Sequence, residues 1–322
     1  MNDRYPLKLG GISVPTIWGG NRLYDALPNS TTYASIGETW KLSIREDRTC
    51  YILNGKFAGI SLSEYINIVG CDVVSNNHSG DKFPILIKFI DATDKLSIQA
   101  HPDDTHARLL NEKDSGKTEM WYIVDADDDA EIVYGLVPDT SIPDFAQAAE
   151  CNNCQSYLNI IKVKTGDVFF IPPGMVHAIG KGILIVEIQQ NSDITYRVYD
   201  YDRVDAQGNK RELHTEKAFK VMRQYNDDEI TKLRYQCTPQ TADANSVASC
   251  KHFNVKLYDL KNKIDLISLK NSFHAIVCVQ GSGTIRFGKK TYKINCGDCW
   301  YIPAGCGEYS LLGNQKSIIV TL

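Results

Sequence analysis

The sequence of 322 residues has no run of the roughly 18 or more apolar residues that a membrane-spanning helix needs. It also lacks a dominant charge. Lys and Arg number 35 against 39 Asp and Glu, for a net charge of −4, so there is no global electrostatic case for nucleic-acid binding. Met1–Pro6 lacks the apolar core of a signal peptide, and a cytoplasmic location is expected. No Gly-x-Gly-x-x-Gly or phosphate-loop pattern follows a β-rich run. Strands and helices do not alternate, which argues against a βα barrel or a doubly wound nucleotide-binding sheet. Regular cysteine spacing is missing too. The ten cysteines are scattered and are expected to be reduced thiols in a cytosolic chain. Two Cys-x-x-Cys pairs exist, Cys151/Cys154 and Cys296/Cys299, but far more than the ~15–20 residues usual in zinc ribbons separates them.

What the chain does have is many short β-rich runs punctuated by Gly and Pro. Phe83–Ile90, Leu96–His101, Met120–Val124, Ile160–Val163, Val168–Ile171, Ile183–Ile188, Phe273–Val279, Gly283–Phe287 and Ser317–Leu322 are examples. They predict a mainly β protein, a sandwich or barrel, with few helices. Helices are expected at Leu62–Ile68, where Ser61 and Glu64 form a capping pair, and at Asp103–Asn111, Asp139–Tyr157 and Thr215–Arg223. The polar segment Asp227–Ser249 marks a domain boundary, giving units 1–235 and 236–322. One motif occurs twice. Gly166-Asp167-Val168-Phe169-Phe170-Ile171-Pro172-Pro173-Gly174 recurs as Gly297-Asp298-Cys299-Trp300-Tyr301-Ile302-Pro303-Ala304-Gly305. The first copy continues to His177 and the second to Glu308, which suggests two related barrels with only the first equipped for a metal.

Chemistry concentrates in Lys95-Leu96-Ser97-Ile98-Gln99-Ala100-His101-Pro102-Asp103-Asp104. On a strand, Ser97, Gln99 and His101 share one face, and polar groups turned toward a barrel interior call for a ligand or a metal. Glu119 and His177 supply the rest of a plausible set. Two His and a carboxylate suit zinc, with Gln99 as a neutral fourth ligand; iron, manganese, nickel and cobalt accept similar donors. Taken singly, His101 would read as a satisfied core histidine and Glu119 as a salt-bridge partner; the joint spacing over three segments favours a site. Lys117 falls on the face of Glu119 and suits an acid, base or anion ligand, unless it is a solvated loop lysine after Ser115-Gly116. Glu187 sits in the apolar run Ile183–Ile188, where a carboxylate is paired or functional. Arg197 opens the dense run Arg197–Arg203, and arginine in an enclosed site suits phosphate or enediolate oxygens. Arg203 reads equally as a substrate-binding group or as a salt bridge to Asp200 or Asp202. His106 is expected on a helix face.

At these residues the chain resembles the type I phosphomannose isomerases, in their shorter bacterial form. The resemblance runs through Ile17–Gly20, Gly37-Glu38-Thr39-Trp40, Leu96–Asp104, Gly116–Tyr122, Gly166–His177 and Gly180–Arg203. It implies two cupin-type jelly-roll barrels, the first binding one zinc through Gln99, His101, Glu119 and His177. It further implies that Arg197 is the active-site arginine and Glu187 a carboxylate acting as acid or base. Lys117 would be the lysine before the zinc-binding glutamate, and Ser97 and Lys88 fall at positions associated with the substrate phosphate. Arg203 stands where some larger members have lysine. The implied reaction interconverts mannose 6-phosphate and fructose 6-phosphate through an enediol, in a monomer or weak homo-oligomer. The chain lacks the large helical insertion of the longer members and has Gly116 where they carry a histidine. A metal-dependent cupin oxygenase and a non-catalytic sugar-binding cupin are the competing readings; metal identity, oxygen dependence and sugar-phosphate turnover separate them.

Overall fold

Strand Ile85–Ala92 reads Ile-Leu-Ile-Lys-Phe-Ile-Asp-Ala and is buried over its whole length. A strand buried on both faces needs apolar residues at both parities, and here each face meets a different layer. The computed structural model describes residues 3–23, 35–80, 82–205, 207–235 and 246–322. Within them, Ile85–Ala92 belongs to a six-stranded sheet ordered Val168–Ile171, Glu119–Ala126, Ile183–Gln190, Ile85–Ala92, Ile12–Gly20, Ile36–Leu42. Ile85, Ile87, Phe89, Met120, Tyr122, Val186 and Ile188 point to one side. There they pack on Leu7, Leu9, Val277, Tyr301, Ile318 and Val320 of a nine-stranded sheet and on Leu62 and Tyr65 of helix Leu62–Val69.

The opposite face of the six-stranded sheet covers a five-stranded one, ordered Leu158–Lys162, Glu131–Leu136, His177–Ile179, Ile98–Ala100, Tyr196–Tyr199. Trp121, Ile123, Phe169, Ile183 and Ile185 from the first meet Ile132, Tyr134 and Ile179 from the second in one apolar cluster. This pair of sheets is the first cupin barrel. The nine-stranded sheet carries the second, whose interior holds Ile276, Ile285, Ile294, Trp300, Ile302, Leu311 and Ile319. The protein is thus mainly β with few helices. Leu7–Gly10 and Tyr51–Ile52, from the N-terminal part of the chain, pair into the second barrel's sheet next to Cys299–Ile302.

The capping pair is present. Ser61 Oγ accepts from Glu64 N at 3.1 Å and Glu64 Oε2 accepts from Ser61 N at 2.9 Å. Ser61→Ala is expected to lower stability by about 1 kcal/mol in denaturant unfolding, with turnover unaffected. Other helices are shorter than the sequence reading placed them. Asp103 caps Asp104–Leu109 through a bond from His106 N, so His106 does lie on this helix; Ile142–Glu150 is capped by Ser141. Phe273–Val279 and Gly283–Phe287 are one strand, His274–Phe287, because pairing with the neighbouring strand continues past a bulge between Cys278 and Gln280 and through Gly281 at φ +74°. The segment read as a boundary begins with a helix, Asp227–Tyr235. The expected boundary at 235/236 adjoins residues 236–245, which lie outside the described residues.

The repeated motif is repeated structure. Gly166 and Gly297 turn with φ of +93° and +84°, which a side chain disfavours. Asp167 then accepts from Lys164 N at 3.0 Å, and Asp298 from Asn295 N at 2.9 Å. Strand register follows suit. Ile171 lies opposite Glu119 in the first barrel, and its counterpart Ile302 lies opposite His274 in the second. The row Phe169–Trp121–Glu187 becomes the apolar row Trp300–Ile276–Ile319. Glu308, in the place of His177, is exposed. The second barrel therefore keeps the scaffold without the three buried donors of the first.

Candidate metal centre and active site

Three neighbouring strands of the five-stranded sheet put Arg197, Gln99 and His177 in one cross-strand row, because Gln99 pairs with both of the others. The six-stranded sheet supplies the facing groups. Glu119 opens strand Glu119–Ala126 opposite Gln189. Two residues further along the same face, a second row runs Trp121, Glu187, Lys88, Trp40 over four strands.

His101, Glu119 and His177 are fully enclosed, and their donor atoms lie within 4.8 Å of one another. His101 Nε2 is 3.1 Å from Glu119 Oε1 and 3.1 Å from His177 Nε2, and Glu119 Oε2 is 3.7 Å from His177 Nε2. Burial, reinforced by Lys117, pushes the His101 imidazole down to about 3, and burial lowers His177 as well, so both rings are neutral. His177 Nδ1 lies 2.9 Å from the Met175 carbonyl; as the donor there, it leaves the Nε2 lone pair aimed at the group. Burial opposes charge on Glu119, but Lys117 and His101 outweigh it and hold the carboxyl well below the usual carboxylate range. Glu119 Oε2 has no hydrogen-bond partner. Two neutral imidazole nitrogens and an orphaned carboxylate oxygen converging in a closed space fit a divalent cation. Gln99 Nε2 is 3.5 Å from His177 Nε2; turning the amide presents its oxygen instead.

Lys117 Nζ is hydrogen-bonded to Glu119 Oε1 and 3.3 Å from His101 Nε2. Its backbone is pinned from the other side, with Lys117 N on Pro102 O and Gly116 N on Asp104 Oδ1. A Cβ at Gly116 would stand 2.4 Å from the Asp103 carbonyl carbon. Only glycine permits that approach.

The second row is polar at its centre. Glu187 accepts from Trp121 Nε1 at 3.0 Å and lies 2.8 Å from Lys88 Nζ. Lys88 Nζ is also 3.4 Å from Glu38, which accepts from Trp40 Nε1 at 2.7 Å. Two carboxylates thus share one buried lysine, with opposite outcomes. Burial and the negative charge of Glu119 raise Glu187 despite Lys88. Burial works against the charge of Glu38 too, but Lys88 and Trp40 prevail and lower it. Sequence reasoning assigned no role to Glu38 or Trp40. The available signal was Glu38-Thr39-Trp40 on an alternating strand, but only cross-strand register shows that its inward side chains meet Lys88.

Arg197 Nε donates to Ser97 Oγ at 3.3 Å and its Nη1 to the Glu212 carbonyl at 2.7 Å, so Ser97 and Arg197 are brought together beside Gln99. Arg203, expected to contact substrate, has its guanidinium on Asp200 at 2.6 Å, Asp94 at 3.3 Å and the Lys95 carbonyl. Among the described residues, His101, Glu119 and His177 are the one group of three or more such donors close enough for a metal; neither Cys-x-x-Cys pair is part of it.

Comparison with known proteins agrees with this architecture. Residues 9–146 match the model of the phosphomannose isomerase type I catalytic domain, and residues 243–322 that of the mannose-6-phosphate isomerase cupin domain. Mannose-6-phosphate isomerase ManA of Bacillus subtilis (strain 168) is 36% identical over 323 residues, covering 98% of both chains. The crystal structure of the mannose 6-phosphate isomerase from Bacillus subtilis superposes with a TM-score of 0.86 at 32% identity, covering 98% of this chain and 99% of that one. A mannose 6-phosphate isomerase crystallised with zinc and yttrium shares the fold, with a TM-score of 0.75 at 14% identity over 98% of each chain. Similarity of this extent, over both barrels and with the site segments included, means that the chain belongs to the type I phosphomannose isomerase family.

Proposed function

We propose that the protein interconverts mannose 6-phosphate and fructose 6-phosphate, with a divalent cation, zinc in this reading, held by His101, Glu119, His177 and Gln99. The observation that carries the proposal is the adjacency of two rows on one interior face. The cation ligand Glu119 stands one inward position from Trp121, and Trp121 pairs directly with Glu187. Residues two apart on a strand are separated by about 6.5–7 Å, which suits a small sugar lying across both rows.

Aldose–ketose isomerisation moves a proton between C2 and C1. A base removes the C2 proton while the carbonyl oxygen at C1 gains one, giving an enediol; reprotonation at C1 with loss of the O2 proton completes the ketose. Glu187 is the proposed proton carrier at carbon. Its raised affinity for a proton brings it nearer neutrality, where an acid/base group works best, and Trp121 and Lys88 hold its oxygens. Its neighbour Glu38 is driven the other way and stays ionised, so it keeps Lys88 charged. Pairs of carboxyls with environments this different separate into distinct roles. Lys117, beside Glu119, is the proposed proton donor and acceptor for the sugar oxygens. Arg197 supplies positive charge where oxygen becomes negative. Ser97 and Lys88 are the proposed contacts for the sugar phosphate's polar and anionic groups, and Arg203 braces the loop that follows Arg197. A bound cation supplies Lewis-acid polarisation of substrate oxygens.

The direct test is a coupled assay of fructose 6-phosphate formation from mannose 6-phosphate. The reading predicts turnover by the zinc-loaded protein; a folded, zinc-loaded protein without turnover rejects the substrate. Arg197→Ala is expected to cut kcat by about 100-fold, with zinc content and melting temperature held; unchanged kcat removes Arg197 from the chemistry.

A further inference from the structure

Arg197 lies on Tyr196–Tyr199, the edge strand of the five-stranded sheet, so among the described residues no neighbouring strand steadies it on its outer side. Its guanidinium is held there by the Glu212 carbonyl, 2.7 Å from Nη1, and by Ser97 Oγ, 3.3 Å from Nε. Glu212 belongs to an excursion that leaves the strand at Asp200 and returns at His214, whose N–H donates to the Arg197 carbonyl at 2.7 Å. The excursion turns through Tyr201 and Asp202, both with left-handed φ of +56° and +55°.

Asp200 ties the two ends of this excursion together. It is 5% exposed. Its carboxylate takes a two-pronged contact from Arg211, with Nε donating at 2.8 Å and Nη2 also bonded, and a further bond from Arg203 Nη2 at 2.6 Å. Arg203 in turn reaches Asp94 and the Lys95 carbonyl, just before Ser97, which accepts from Arg197 Nε. A forked guanidinium–carboxylate contact fixes orientation as well as distance. Arg211 precedes Glu212, so the fork sets where the Glu212 carbonyl stands.

We propose that Asp200 is a positioning residue for Arg197, acting through Arg211 and the Glu212 carbonyl. The inference rests on the role given to Arg197 above. Without Asp200, Arg211 and Arg203 lose their common anchor, the Glu212 carbonyl drifts, and the Arg197 guanidinium no longer faces the reacting oxygens.

The test is a double-mutant cycle on the zinc-loaded full chain, using Asp200→Asn, Arg197→Ala and the pair, with kcat and KM for mannose 6-phosphate, zinc content and melting temperature. Asp200→Asn is expected to lower kcat by about tenfold or more, because small misplacements of a catalytic group are costly. KM should stay within about twofold. In the Arg197→Ala background the same change should lower kcat by less than about twofold, since its route is already gone. A merely structural defect would lower kcat equally in both backgrounds, and that result, or an unchanged kcat for Asp200→Asn, overturns the inference. Wild-type turnover in Arg197→Ala overturns the Arg197 role itself, which is a separate outcome. If Asp200→Asn does not fold, Arg211→Lys goes through the same cycle under the same criteria, because lysine keeps the charge and loses the fork.

Discussion

Glu187→Gln is expected to lower kcat by about 10²- to 10⁴-fold, the usual contribution of a positioned acid or base. The substitution leaves the metal donors untouched but replaces Oε2, which lies 2.8 Å from Lys88 Nζ, with an amide NH2 that cannot accept from it. The amide oxygen still accepts from Trp121 Nε1, which is 3.0 Å from Oε1 in the native chain. Lys88 keeps Glu38 at 3.4 Å, so its buried charge retains a counter-ion. Zinc content is therefore expected to match the native protein, and the variant to stay folded with a lowered melting temperature, because the shorter of the two buried Lys88 ion pairs is lost. That combination matters because a variant that lost metal or structure would also lose activity. Steady-state kinetics with parallel metal analysis makes the distinction. A kcat within about threefold of native, at full zinc content, would pass the proton-carrier role to Lys117.

The second large effect is on the metal. Glu119→Gln removes the only carboxylate of the enclosed group and leaves two neutral imidazoles beside the ammonium of Lys117. The result should be zinc affinity at least about 100-fold weaker, more than the loss of an outer-shell partner causes. Dialysed protein should then carry little zinc and turn over at background rate. The change also strands Lys117 without its counter-ion, and breaking a buried pair costs about 3–5 kcal/mol. Urea unfolding should register a loss of that order in zinc-free protein. Full zinc retention after dialysis would place the metal elsewhere.

Much of this was legible in the sequence, for a physical reason. Polar residues at alternate positions of apolar strands mark an inward polar face, and Gln99 and His101 announce themselves that way, as Glu187 does by being a carboxylate in an apolar run; Lys88 came only with the family resemblance. The capping pair Ser61/Glu64 and the repeated Gly-Asp turn are likewise local, and local geometry reads directly from residues. What escaped depends on distant pairing. Glu38 and Trp40 gain meaning because Trp40 lies opposite Lys88. Leu7–Gly10 joins the second barrel because Leu7 pairs with Tyr301. Neither register is written in the run of residues itself. Arg203 shows the remaining difficulty. A run with three Asp or Arg residues near Arg197 looks the same whether it faces substrate or braces a loop, and only the distances to Asp200 and Asp94 give it partners. Asp227–Tyr235 escaped because its residues are mostly polar and no apolar stripe stands out.

The most direct test of the account is a zinc titration of chelated protein, reading bound metal and mannose 6-phosphate turnover in the same samples. Turnover is expected to be negligible without metal, to rise in proportion to bound zinc, and to reach a plateau at one zinc per chain. Undiminished turnover in protein shown to be free of metal would contradict it.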